Sequence, residues 1–219
     1  MTSEIAFLTE GIGAYVEAHS SAPTALEQRL IDETQQMRYA VMQIGFPQAQ
    51  FMALLARTMR PTTVVEVGTF TGYSALKVAA ELSDDATLIA CDLSDAWTSI
   101  GRRYWEEAGV ADRIDLRLGP AADTLAALPD DLVVDLAFID ADKTGYLGYV
   151  EQLIPHLRAH SVVLIDNVLW DGAIIDGSDT AADTVALREF NAAIVADARL
   201  DVSLLPVGDG LSMIMLART

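Results

Sequence analysis

From Thr63 onward, short apolar, β-branched runs alternate with helical stretches, and this alternation constrains the fold more than any other feature of the chain. The runs are Val64–Val67, Thr87–Asp92, Ile114–Leu118, Val133–Asp140 and Ser161–Asp166. Between them, Tyr73–Leu82, Ser94–Ala108, Ala121–Leu128 and Tyr146–Leu157 carry helical patterns. A parallel strand covered by helices on both faces reads as a continuous apolar run, because neither face meets water. The alternation stops near the C-terminus. After a helical stretch at Asp183–Ala196, Val202–Val207 and Leu211–Leu216 flank Gly208-Asp209-Gly210, the pattern of an antiparallel hairpin. The expected fold is α/β: a doubly wound, Rossmann-like sheet ending in an antiparallel hairpin. Such sheets bind ligands at the carboxyl ends of their strands.

The first 60 residues read as helical. Apolar residues recur at helical spacing over Ile5–Ala18 and Thr24–Met42, with a break at Ser21-Ala22-Pro23, and a third helix runs from Pro47 to about Met59. At 219 residues the chain suits one domain, residues 1–219, in which 1–60 supply N-terminal helices on the substrate side and 61–219 form the core. No apolar run is long enough to span a bilayer. The beginning carries Glu4 and Glu10 in place of a basic leader, so a cytoplasmic location is expected. Cys91 is the only cysteine, so no intrachain disulfide forms. Acidic residues outnumber Lys and Arg by 32 to 14, a net charge of -18. Such a surface repels polyanions and disfavours a nucleic-acid partner, although it also serves plain solubility.

The first strand runs into Glu66-Val67-Gly68-Thr69-Phe70-Thr71-Gly72-Tyr73-Ser74. Glycines let a backbone approach a ligand ahead of a helix N-terminus. The spacing is G-x-x-x-G, not the dinucleotide fingerprint, and by itself it also fits a simple strand-to-helix turn. Two acids add information. Glu66 precedes the loop, and Asp92 closes the second strand, where an acid can accept ribose hydroxyls. Carboxylates there repel the pyrophosphate of NAD but suit the sulfonium and ammonium of S-adenosylmethionine. Cys91 reads as a buried strand residue, since nothing near it in sequence lowers its pKa.

Two later strands also end in oxygen ligands: Asp140 in Ile139-Asp140-Ala141-Asp142-Lys143, and Asp166 with Asn167. Two carboxylates and an amide without His or Cys favour a hard cation such as Mg²⁺ or Mn²⁺ over Zn²⁺. Each aspartate could equally be a helix N-cap. Lys143 could act as a base beside such a site, or form a surface ion pair with Asp142. Trp170, Tyr146 and Tyr149 could wall an acceptor or pack in the core. His19, His156 and His160 are expected to be exposed and chemically silent.

Together, Glu66–Ser74 (EVGTFTGYS), Asp140–Lys143 (DADK) and Asp166–Gly172 (DNVLWDG) resemble the metal-dependent O-methyltransferases of the caffeoyl-CoA and catechol type, from about Met42 to the C-terminus. The resemblance implies the seven-stranded class I methyltransferase fold, S-adenosyl-L-methionine, a Mg²⁺-like ion (Mn²⁺ and Ca²⁺ included), a homodimer and a catechol-like small-molecule acceptor. By position, Ile44, Glu66, Gly68, Thr69, Ser74, Asp92 and Ala121 correspond to cofactor contacts, and Asp142 would also face the cofactor. Asp140, Asp166 and Asn167 correspond to metal ligands, Lys143 and Asp140 to the catalytic pair, and Asp140, Trp170 and Asp171 to substrate contacts. Ala49-Gln50 stands where Gly-Gln is common, and Gly45-Phe46 replaces smaller or polar residues; both changes lie near the substrate entrance. The alternatives are a tRNA hydroxyuridine O-methyltransferase, an NAD-dependent oxidoreductase and a non-catalytic binding module.

Overall fold

The structure, a computed structural model, describes residues 10–218. Residues 5–9 of the expected first helix lie outside the described residues. The described chain opens with α1 (Glu10–Ala18) and α2 (Ala25–Gln35). Thr24 caps α2 reciprocally: its hydroxyl accepts the Glu27 N–H at 3.3 Å, and the Glu27 carboxylate accepts the Thr24 N–H at 2.8 Å. This helix ends at Gln35, well short of the expected Met42, and Ala40–Met42 form a separate 3₁₀ turn. A tertiary contact overrides helical propensity here. Buried Thr34 donates to the Thr71 hydroxyl at 2.9 Å and accepts from Gln43 Nε2 at 3.2 Å, so the chain folds back over it. Then α3 (Phe46–Met59) starts with Pro47 in its first turn, where a missing N–H does no harm.

The apolar runs form one seven-stranded sheet of order β3-β2-β1-β4-β5-β7-β6. Its strands are β1 (Thr63–Val67), β2 (Thr87–Asp92), β3 (Ile114–Leu118), β4 (Leu136–Ile139), β5 (Val162–Ile165), β6 (Leu200–Leu205) and β7 (Leu211–Leu216). The first five run parallel, and β7 pairs antiparallel with both β5 and β6. Register places Val67 beside Cys91 and Ile139, and Ile139 beside Ile165. The residues that follow therefore gather along one edge, and these include Asp92, Asp140 and Asp166.

Helices α4 (Tyr73–Ala79), α5 (Asp95–Glu107), α6 (Ala121–Ala126), α7 (Tyr146–Leu153) and α8 (Ala182–Ala196) complete the alternation. Leu30, Met52, Leu76, Leu88 and Leu164 pack one face of the sheet; Val65, Leu153, Ile165, Phe190 and Ile214 pack the other. Proline trims two elements relative to expectation. Pro155 ends the α-helical part of α7 and leaves a 3₁₀ turn over Ile154–His156, and Pro206 stops β6 at Leu205. That turn also corrects the reading of His156 as exposed, since it is buried with Nδ1 bonded to the Leu132 carbonyl at 3.1 Å. His19 and His160 are exposed. No described helix is long and apolar enough to cross a membrane.

Candidate active site

Loop geometry at the end of β1 depends on Gly68 (φ 90°). A Cβ at this position would lie 1.8 Å from the Asp140 carbonyl oxygen, so only glycine lets the loop meet the end of β4. Asp92 clamps the same loop from β2. Its Oδ2 accepts the N–H groups of Thr69 (3.0 Å) and Phe70 (2.7 Å), and its Oδ1 accepts that of Ser94 (2.7 Å). A carboxylate has further lone pairs, and Asp92 also lines the cavity. Glu66 is buried with the Ser74 hydroxyl as donor at 2.5 Å, and no cation bridges it among the described residues. Burial pushes its carboxyl up to about 8, and the negative Asp140 and Asp92 add to the rise. A buried acid with no counter-ion of its own is suited to a ligand ammonium. Thiol chemistry is not supported at Cys91, where burial raises the pKa to about 11.

Between β4 and β5 lies the second focus. Lys143 is buried and its Nζ donates to Asp140 Oδ1 (3.0 Å), Asn167 Oδ1 (2.7 Å) and the Tyr146 hydroxyl (2.6 Å). Its ion pair is thus with Asp140, and Asp142 instead accepts the Tyr149 hydroxyl at 2.6 Å. The Tyr146 hydroxyl in turn donates to the Asp166 carbonyl at 3.1 Å. Asp166 is buried beside Asp140. Burial first, then the Asp140 charge, raise its pKa, while the Asn167 N–H and Lys143 oppose the rise. No three His, Cys, Asp or Glu side chains form a metal-holding cluster among the described residues. The third oxygen at this focus is the amide of Asn167, whose backbone is left-handed (φ 57°), a conformation asparagine tolerates.

A cavity of about 940 Å³ joins the two foci. Ile44, Gly68, Thr69, Ser74, Asp92 and Ala121 line it toward the glycine loop, and Asp140, Asp142, Lys143, Asp166, Asn167 and Trp170 line it toward β5. Two residues singled out from sequence do not line it. Glu66 sits behind Ser74, and Asp171 is exposed in the turn after Trp170, where its N–H donates to Asp209 Oδ1 at 2.6 Å. Of the aromatics, Tyr149 and Trp170 line the cavity; Tyr146 is buried behind Lys143.

Sequence reasoning missed Gln48 and Asp209, which also line the cavity, as does Asp183 at the start of α8. Gln48 is 3% exposed, and its Nε2 has no hydrogen-bond partner among the described residues. A Cβ on Gly208 would come within 2.0 Å of Gln48 Oε1, so the hairpin glycine makes room for this amide. The Gly208-Asp209-Gly210 signal marked a turn but not its neighbour. An aromatic group forms the outer wall, with Trp97 edge-on to Phe70 (5.2 Å) and Tyr39 (5.9 Å).

A parallel sheet with an antiparallel β7 inserted between β5 and β6, an acid-flanked glycine loop after β1 and an acid closing β2 define a class I S-adenosylmethionine-dependent methyltransferase. The profile of the O-methyltransferase family matches residues 17–218, and the chain belongs to that family. It is 35% identical over 205 residues to probable caffeoyl-CoA O-methyltransferase 2 of Dictyostelium discoideum, covering 91% of this chain and 89% of the relative. Caffeoyl-CoA O-methyltransferase 1 of Eucalyptus globulus is 34% identical over 182 residues, 79% of this chain and 74% of that protein. Among solved structures, the SAH-bound methyltransferase PaMTH1 of Podospora anserina superposes with a TM-score of 0.88 at 30% identity, covering 100% of both chains. The protein is therefore a SAM-dependent O-methyltransferase, which sets aside the NAD-dependent and non-catalytic alternatives.

Proposed function

We propose that this enzyme methylates one hydroxyl of a catechol-like, vicinal dihydroxy small molecule, with a divalent ion such as Mg²⁺ or Mn²⁺ held by Asp140, Asp166 and Asn167. The observation that carries the reading is convergence. Oxygens of Asp140 and Asn167 lie within 3.0 Å of a single point, the Lys143 nitrogen, with the buried Asp166 carboxyl beside them. This donor set suits a hard cation, and a bound divalent ion would lower the pKa of an acceptor hydroxyl. Tyr146 accepts from Lys143, so Lys143 would stay beside the acceptor when a bound ion took over the Asp140 and Asn167 oxygens; only after giving a proton to solvent would its nitrogen have the lone pair to receive the acceptor proton. The aromatic wall and the glycine loop supply positioning. A single-domain, cytoplasmic homodimer with no nucleic-acid partner completes the reading; the charge of -18 supports the last point.

The test is methyl transfer from labelled cofactor to catechol and to its mono-O-methyl counterpart, with and without EDTA. The diol is expected to react at least ~100-fold faster, about 2.7 kcal/mol in the barrier, and only when Mg²⁺ or Mn²⁺ is present. Equal rates for the two acceptors, or indifference to EDTA, would sink the metal-assisted reading. Methylation of hydroxylated tRNA in preference to either would move the acceptor to RNA.

A further inference from the structure

Several relatives are named for caffeoyl-CoA, whose CoA portion carries a diphosphate and a sugar phosphate. Phosphates are received by Arg and Lys side chains at the mouth of a site. This chain has 14 Lys and Arg, and none lies in residues 1–9. Lys143 is the only one that lines the cavity, and it is buried against Asp140 and Asn167. Arg60 follows the far end of α3, and Arg218 lies past the end of antiparallel β7, both toward the opposite edge of the sheet. Arg188 spends its guanidinium on the carbonyls of Ala173, Ile174, Asp176 and Asp179. Arg38, without an ion-pair partner among the described residues, is stacked 5.2 Å from the centroid of Tyr39. Meanwhile Asp142, Asp183 and Asp209 line the cavity with no ion-pair partner among the described residues. A divalent ion would balance Asp140 and Asp166 but leave these three carboxylates facing the bound molecules.

We propose that Asp183 and Asp209 make the acceptor side select by charge: free catechols enter, amine-bearing ones best, and phosphate-bearing catechol thioesters are turned away. This rests on the reading of the enzyme as a catechol methyltransferase. Asp183 stands exposed in the first turn of α8, and half-buried Asp209 accepts the Asp171 N–H at 2.6 Å, so the Asp209 charge is held in place and the Asp183 charge stands open to an incoming molecule. Like charges across an interface suppress the wrong partner more than they weaken the right one.

The experiment compares dihydroxyphenethylamine, catechol, caffeic acid and caffeoyl-CoA as acceptors of the metal-loaded enzyme. It reads both kcat/KM and equilibrium binding to the SAH-bound enzyme. The expected order is amine, neutral, carboxylate, thioester, with the amine's advantage shrinking as salt rises. In Asp183→Lys, amine turnover should fall and thioester turnover rise, each about fivefold, the scale of two charge units acting across ~8 Å of wet cavity. A merely structural residue would move all four acceptors together, and that result overturns the proposal. So does caffeoyl-CoA outperforming catechol in the wild type. Arg38→Ala is expected to leave all four within about twofold; selective loss of the thioester reaction would reveal a phosphate site and refute the proposal. If catechol itself is not methylated, the underlying reaction reading fails and this inference falls with it.

Discussion

The half of the cavity at the glycine loop is made of short segments that directly follow their strands, whereas the half beyond β4 and β5 is collected from four distant parts of the chain. At the glycine loop, Gly68–Phe70 follow β1 and Asp92 closes the neighbouring β2, and the Thr69 and Phe70 N–H groups donate to the Asp92 carboxylate. In the other half, Gln48 comes from α3, Asn167 and Trp170 from beyond β5, Asp183 from α8 and Asp209 from the hairpin turn. The first half is held by backbone N–H groups converging on one carboxylate, so a change at Asp92 would disturb all of them at once. The second is a junction of separate elements, so its lining can change residue by residue while the sheet stays intact. Strain follows the same division. Among non-glycine residues, Phe70 alone carries a positive φ in the glycine loop, against Asn167, Trp170 and Asp171 beyond β5.

If the halves are separable, Asp166→Asn should cut methyl transfer by at least ~100-fold while leaving cofactor affinity within about twofold, read by a labelled-methyl assay beside calorimetry. A parallel loss of cofactor affinity would break the comparison. Glu66→Gln should do the converse and weaken cofactor binding several-fold, because the Glu66 charge acts on the ligand ammonium from behind the Ser74 hydroxyl. Its pH behaviour sharpens the point. The folded-state pKa is raised from 4.5 to about 8, so the folded protein holds this proton more tightly than the unfolded chain. The resulting stability is fully present below about pH 4.5 and is lost as pH rises through about 8. Melting of the cofactor-free enzyme should therefore decline over that window, and Glu66→Gln should flatten the decline. Cofactor binding at pH 7 should release up to one proton, measured in two buffers of different ionisation enthalpy; uptake would contradict the assignment of Glu66 to the ligand ammonium.

A smaller effect is expected at Gln48, in the other half. Gln48→Leu removes a buried, unpartnered amide, so it should preserve or slightly raise the melting temperature while lowering acceptor kcat/KM several-fold. An unchanged kcat/KM would leave the amide without a role toward the acceptor. The smallest effect should come from Arg188→Met. Releasing the carbonyls of residues 173–179 should destabilise the fold by about 1 kcal/mol and speed hydrogen exchange there, with cofactor affinity untouched.

The sequence by itself determined the parallel sheet, the terminal hairpin and the identity of the acids and amide at the ends of β1, β2, β4 and β5. Each signal is local: an apolar run makes a strand, and whatever follows a parallel strand must emerge on one edge of the sheet. Tertiary structure alone decided the rest. The end of α2 depends on Thr34 meeting Thr71 and Gln43, and the burial of His156 depends on the Leu132 carbonyl. Asp171 fell outside the cavity because its N–H is drawn to Asp209, 38 residues away, in the hairpin turn. Gln48 entered because Gly208 leaves space that any side chain would fill. Local patterns specify backbone periodicity, whereas contacts between elements far apart in sequence depend on how finished elements pack, and most of the cavity beyond β4 and β5 consists of such contacts.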